Sequence, residues 1–183
     1  NITEDHLDHF GTMENYIAAK CKIFDHQTPD DIAVLNYDDA VVRDMARLTP
    51  AKVFYFSRKQ EVPRGCFLRG DMVIVRDEAG EYELLRADEI KIPGGHNLEN
   101  AMLCSLLALG MGISADAVHE TLRTFPGVEH RIEFVREFDG VRYINDSKGT
   151  NPDSTIKAIQ AMTRPTVLIL GGYDKHSDFH ELF

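Results

Sequence analysis

Val141-Arg142-Tyr143-Ile144-Asn145-Asp146-Ser147-Lys148-Gly149-Thr150-Asn151-Pro152-Asp153-Ser154-Thr155 is the stretch that decides the fold class. Val141–Asn145 and Glu133–Phe138 alternate around Asp139-Gly140, a two-residue hairpin signal. Pro152 suits the first helical position, behind Asn151 as cap. The helix should run to about Met162. Thr166-Val167-Leu168-Ile169-Leu170 is then a continuous apolar run ending at Gly171-Gly172, the pattern of a buried strand. Strand, helix and strand within about thirty residues make a βαβ unit, so the spacing predicts the opening of a parallel sheet.

Upstream, the pattern is also mixed α/β. Thr12 caps a predicted helix to about Asp25, with Met13, Tyr16, Ile17 and Phe24 on its apolar stripe. Ile32-Ala33-Val34-Leu35 and Val53-Phe54-Tyr55-Phe56 read as strands, with a short helix over 41–47 between them. Short strands are predicted over 66–69, 72–76 and 82–86. Pro93-Gly94-Gly95 breaks the chain before an apolar helix from about Leu98 to Leu109. Ser114 caps a further helix to about Thr124, and Pro126-Gly127 is a natural boundary. The organisation expected is one α/β unit over 1–126 and the opening of a second over 127–183.

Composition narrows the function. The 183 residues are 43% hydrophobic and 27% charged, which is ordinary for a globular chain. Acidic residues outnumber basic ones 30 to 20, giving a net charge of −10. A nucleic-acid backbone asks for a basic surface, so no nucleic-acid partner is expected. No run approaches the roughly 18 apolar residues that span a bilayer, so no membrane role is expected. Cys21, Cys66 and Cys104 are odd in number and widely spaced. They read as reduced thiols of a cytoplasmic protein and not as a disulfide frame or zinc site. The chain opens on Asn1 without a leader and closes inside what looks like a helix start, the pattern of an internal fragment.

Six constellations carry candidate chemistry. Asp5-His6-Leu7-Asp8-His9 is dense enough in imidazole and carboxylate to hold a divalent metal, or is a polar loop before a helix cap. Lys20 lies on the apolar stripe of its helix. It is either a snorkelling lysine or one held in a site and desolvated. Asn97 and Asn100 follow Pro93-Gly94-Gly95-His96, three apart in a first helical turn. Paired amides at that spacing can read a purine edge, or Asn97 is an N-cap. Arg131, in Glu129-His130-Arg131-Ile132-Glu133, suits phosphate clamping at a boundary between units, or is a surface ion-pair residue. Asn145-Asp146-Ser147-Lys148-Gly149-Thr150-Asn151 leaves a strand end and enters a helix, the place where α/β sheets bind anionic ligands. Asp146 suits a ribose hydroxyl there, and Lys148 and Thr150 suit phosphate or carboxylate, or the polar loop is simply a good helix cap. Gly171-Gly172-Tyr173-Asp174-Lys175 follows the next strand, so Lys175 would reach a carboxylate ligand at the same edge, or the run is a Gly-rich turn.

In that order and spacing, N-x-T-E-D-H-x-D, A-A-K, G-x-H-N-x-x-N-A, H-R-x-E, N-D-S-K-x-T-N and G-G-x-D-K resemble the Mur ligases over essentially the whole chain. Within that family the set is most similar to the members that add D-glutamate. The resemblance implies the later part of a P-loop-type ATP-binding central domain, then the start of a Rossmann-like C-terminal domain. It implies ATP and magnesium, with UDP-N-acetylmuramoyl-L-alanine and D-glutamate as substrates, joined through an acyl phosphate in peptidoglycan synthesis. Carried over by motif, His6 resembles a magnesium-ligating imidazole and Lys20 the family's carbamylated lysine. Asn97 and Asn100 resemble adenine contacts, Arg131 and Asp146 phosphate and ribose contacts, and Lys148 and Thr150 contacts near the phosphate and the incoming amino acid. Lys175 resembles the lysine that holds a D-glutamate carboxylate, and residues 126–131 would be the hinge. Gly149 stands where the family commonly has Ala. No G-x-x-x-x-G-K-[ST] string occurs, so the phosphate loop is expected upstream of Asn1 and the fragment alone is expected to be inactive.

Two other readings stay open. His6-x-Asp8-His9 with Pro93-Gly94-Gly95-His96 partly resembles metallo-β-lactamase-like hydrolases, although Glu4 stands where their first motif His belongs. A non-catalytic nucleotide-binding module would also use the same amides and cations.

Overall fold

The computed structural model describes residues 1–3, 7–172 and 179–182. His6 and Lys175 therefore lie outside the described residues.

A five-stranded mixed sheet forms the centre, in the order β1 (Ile32–Asn36), β2 (Lys52–Ser57), β3 (Gly65–Arg69), β4 (Met72–Asp77), β5 (Gly80–Arg86). The first two pairings are parallel and the last two antiparallel. The period-2 alternation of β1 and β2 sorts their side chains onto two faces. Ala33, Leu35, Val53 and Tyr55 meet one cluster with Phe24, Val42 and Met45. Val34, Phe54 and Phe56 meet the other, with Met102 and Leu106. Helices α1 (Leu7–Phe10), α2 (Met13–Cys21) and α3 (Ala40–Asp44) precede and follow β1. Phe24, just beyond α2, and Val42 of α3 close the first face.

Helix α4 (Gly95–Gly110) covers the second face, backed by α5 (Ala115–Thr124). It begins three residues earlier than its apolar pattern suggests, because Gly94 serves as the cap and Gly95-His96-Asn97 form its polar first turn. Met102, Cys66 and Phe67 are fully buried. Each such apolar side chain contributes roughly 1.5–3 kcal/mol by leaving water. Burial also pushes the Cys66 thiol up to about 12, so this cysteine is an inert core residue.

The remainder is a two-stranded antiparallel hairpin, β6 (Glu133–Phe138) with β7 (Val141–Asn145), followed by α6 (Pro152–Gln160). Asn151 caps α6 and Pro152 opens it, as the sequence pattern predicts. The expected parallel strand over 166–170 differs. These residues join no ladder, and Val167 and Ile169 are each 91% exposed. A fully apolar strand needs neighbours along both edges and cover on both faces, and the described residues supply neither. No helix of the described residues is long and apolar enough to cross a membrane.

Candidate functional site

Helix α4 runs back along β1. Gly110 at its end sits beside Ile32 at the start of β1, while its first turn lies near the carboxyl ends of β1 and β2. There Asn36 and Ser57 are buried, and Asp38 accepts from the Ser57 hydroxyl at 2.6 Å and the Arg58 N–H at 2.9 Å. The Arg58 guanidinium pairs with Glu99 at 2.8 Å. Glu99 in turn accepts from the Asn1 side-chain amide at 3.0 Å, and Asn1 Oδ1 accepts from the Asn36 side-chain amide. This polar seam fixes the α4 N-terminus over the carboxyl edge of the parallel strands, where α/β sheets bind their ligands.

Against that edge stands the 130–157 segment. A Cβ on Gly94 would come within 2.9 Å of the Ala161 methyl, so the turn into α4 and the end of α6 are in close approach. Between them lies a cleft of about 290 Å³. Asn1, His96 and Asn100 line one wall. Arg131, Asp146, Lys148 and Thr150 line the other, with Asn151, Asp153, Ser154 and Lys157 from the first turns of α6.

Five residues singled out from sequence thus meet in one place: Asn100, Arg131, Asp146, Lys148 and Thr150. Asn97 does not join them. It is buried, and its amide donates to the Pro93 carbonyl at 2.7 Å. The two amides were expected to face one way. The first turn of α4 instead turns Asn97 into the protein and Asn100 outward. Lys20 also stands elsewhere. It is exposed and does not line the cleft, with its ammonium 5.2 Å from the centre of the Tyr16 ring. That arrangement is the snorkelling one, because the ring packs inside and the charge stays in water.

Asn1, His96, Asp153 and Lys157 also line the cleft, and sequence patterns give none of them a role at a nucleotide site. Lys157 pairs with Asp153 at 2.6 Å, one turn apart on α6. That i, i+4 spacing is visible in sequence, but nothing there shows that the pair faces the cleft. His96 is held below its ordinary value of 6.5, first by burial and then by Arg131 and Lys157, against the opposing pull of Asp146 and Glu99. Both effects favour the neutral ring.

The electrostatics favour an anion beside a polyol. Arg131 and Lys148 hold no salt bridge among the described residues, so their charge is available to a ligand. Asp146 accepts the Ile132 N–H at 3.0 Å through Oδ1. Its second oxygen can accept from a hydroxyl, while Asn100 offers both an amide donor and a carbonyl acceptor. This donor set fits a nucleotide: cations for phosphate, a carboxylate for ribose, an amide for a base. It does not fit a metal in the same way. Among the described residues, no three His, Cys, Asp or Glu side chains converge.

Residues 1–108 match the family model described as the Mur ligase middle domain. That match takes in the His6-x-Asp8-His9 segment and counts against the metallo-hydrolase alternative. The chain is 52% identical over 182 residues to the UDP-N-acetylmuramoylalanine–D-glutamate ligase of Clostridioides difficile strain 630, covering 100% of this chain and 40% of that protein. It is 50% identical over 181 residues to the ligase of the same name from Thermoanaerobacter sp. strain X514, covering 99% and 40%. It thus spans about two fifths of the length of these curated relatives. Among solved structures, MurF from Acinetobacter baumannii has a TM-score of 0.71 at 22% identity, covering 91% of this chain and 36% of that one. MurF from Thermotoga maritima in complex with ADP has a TM-score of 0.63 at 22% identity, covering 88% and 37%. At such identity these likenesses speak to the fold alone.

Proposed function

Because this chain belongs to the Mur ligase family, we propose that it is the central piece of an ATP-dependent ligase that joins D-glutamate to UDP-N-acetylmuramoyl-L-alanine in the cytoplasm. Residues 1–126 would be the later part of the ATP-binding domain, and 127–183 the opening of the C-terminal one. The observation that carries the reading is the cleft. Asn100 from one unit and Arg131, Asp146, Lys148 and Thr150 from the other converge although some thirty to fifty residues separate them in sequence.

The proposed reaction has two steps. A carboxylate oxygen of the nucleotide sugar bonds to the γ-phosphorus of ATP as the bond to ADP breaks. The amino group of D-glutamate then bonds to the acyl carbon, and inorganic phosphate leaves. Both steps crowd negative charge, so the protein's task is positioning and neutralisation. Asn100 would hold the adenine edge, Asp146 a ribose hydroxyl and Arg131 the phosphates. Lys148 and Thr150 would contact the transferring phosphate and the incoming amino acid. Asn97, as placed here, would support the α4 turn from inside.

Mur ligases use magnesium with ATP, and the metal would neutralise phosphate charge. His6 and a carbamylated Lys20 are proposed as its contacts, and Lys175 as the contact to the D-glutamate carboxylate. The exposed Lys20 side chain is accessible to carbon dioxide, which adds to a neutral amine with loss of a proton, and a carbamate carbon signal from labelled bicarbonate, absent in Lys20→Arg, tests that assignment.

The overall reading is tested on the full-length protein. Phosphate release should require ATP, UDP-N-acetylmuramoyl-L-alanine and D-glutamate together. Lys148→Ala should lower turnover at least about a hundredfold, the scale typical of a lost charge-stabilising contact. Turnover unaffected by Lys148→Ala, or independent of D-glutamate, would reject it.

A further inference from the structure

Arg131 reaches the cleft from a backbone that is unusual on both sides. His130 has φ 66° and Ile132 φ 47°. Neither is glycine, and a β-branched residue in the left-handed region is a rare outlier. Such conformations persist only where the surroundings over-determine them, and they concentrate at functional sites.

Here the surroundings are specific. The His130 N–H donates to Glu133 Oε2 at 2.8 Å. The same oxygen accepts from the Asn145 amide at 3.3 Å, and that amide nitrogen lies 2.9 Å from His130 Nδ1. Glu133 opens β6, Asn145 closes β7, and the two face each other in register. The end of the hairpin therefore presents a paired carboxylate and amide to the 130–132 turn. Two further bonds complete the clamp. The Ile132 N–H donates to Asp146 Oδ1 at 3.0 Å, and the Lys148 N–H donates to the His130 carbonyl at 2.9 Å. Arg131 and Lys148 are thereby tied to one small framework. Glu133 and Asn145 do not line the cleft.

We propose that Glu133 and Asn145 are positioning residues, which lock the left-handed turn at 130–132 and so hold Arg131 in place before the phosphate-bearing ligand arrives. The proposal rests on the reading of the cleft as a nucleotide site. Its physical content is preorganisation: without the lock the turn relaxes toward ordinary φ values, and ligand binding must then restore it. A loss of that kind falls on ligand affinity.

The experiment uses the full-length ligase that contains this chain. Glu133→Ala should raise the KM for ATP about tenfold while changing kcat less than about twofold. Glu133→Gln keeps a carbonyl oxygen for the His130 N–H and should restore a KM near that of the unaltered enzyme. Asn145→Ala should act like Glu133→Ala. Glu133→Ala in an Arg131→Ala background should add little, because both act through one side chain. If Arg131→Ala raises the KM and Glu133→Ala does not, the positioning role is overturned and the nucleotide reading stands. If Arg131→Ala leaves the KM unchanged, the nucleotide reading of this wall fails and the proposal falls with it. If Glu133→Ala lowers kcat and the melting temperature with no change in KM, or Glu133→Gln does not rescue, the residue is merely structural and the proposal is overturned. A readout free of catalysis is amide hydrogen exchange in the same full-length protein. The His130 and Lys148 amides should exchange faster in Glu133→Ala but not in Glu133→Gln, and unchanged exchange would refute the lock.

Discussion

A Cβ built on Gly149 would stand 2.6 Å from Oδ2 of Asp146, whose other oxygen holds the Ile132 N–H at 3.0 Å. The substitution Gly149→Ala, which family resemblance makes look harmless, therefore acts on the cleft. Replacing glycine at a compatible position stabilises by about 0.4–1 kcal/mol through the unfolded chain. Disturbing one hydrogen bond costs about 0.5–1.5 kcal/mol. The two nearly offset, so the unfolding free energy should move by less than about 1 kcal/mol. The Asp146 carboxylate should nevertheless rotate. Faster exchange of the Ile132 amide in Gly149→Ala, with an almost unchanged melting temperature, is the expected result. Unaltered exchange would show that the side chain has room.

His96 sets a pH dependence of known sign. Its folded-state value lies below the ordinary 6.5, chiefly through burial, so the unfolded chain binds that proton more tightly. Stability is then complete above 6.5 and falls as pH drops below it toward the folded-state value. Carboxylates such as Glu61 and Glu81, held low by Arg76 and Arg69, begin to matter only below 4.5. A melting-temperature profile should thus decline just below 6.5, and His96→Gln should flatten that part alone. A decline that survives in His96→Gln would assign it to another group.

Gly65 makes the β2–β3 pairing possible. Its φ is +136°, and an added Cβ would lie 1.8 Å from the Tyr55 carbonyl oxygen. Tyr55 and Gly65 are register partners, so the backbone has nowhere to retreat without opening the ladder. Gly65→Ala should cost on the order of 3 kcal/mol or more, a strained φ compounded by a lost pairing. Chemical denaturation of the isolated chain measures it. A cost under about 1 kcal/mol would mean that the strand shifts register freely.

The hairpin and the 166–170 run expose a broad apolar surface, with Phe134, Phe138, Val167 and Ile169 each more than half exposed. Unpaired, apolar, extended segments pair with other chains. Light scattering of this chain should show association that grows with concentration, and Ile169→Lys should reduce it. A monodisperse monomer at high concentration would contradict this expectation.

Much of the fold is legible in local pattern. The alternation in β1 and β2, the Asp139-Gly140 turn, the Asn151-Pro152 helix start and the Ser114 cap all appear where propensity and capping chemistry put them. Each is a short-range effect, decided by residues within a turn of one another. The five cleft residues could be chosen for the same reason, since Arg, Asp, Lys, Thr and Asn at strand ends and helix starts are chemically marked. What pattern cannot show is direction. Spacing places Asn97 and Asn100 in one helical turn, and a hydrogen bond to the Pro93 carbonyl holds Asn97 inward. Spacing links Asp153 and Lys157, and only the seating of α6 beside Gly94 turns that pair toward His96. The apolar run at 166–170 has strand chemistry but forms no ladder, because a strand is completed by partners remote in sequence. Short-range chemistry therefore established the elements, the family resemblance and most of the charged inventory. The tertiary structure decided which side chains share the cleft, because that depends on long-range packing and on the left-handed backbone at His130 and Ile132.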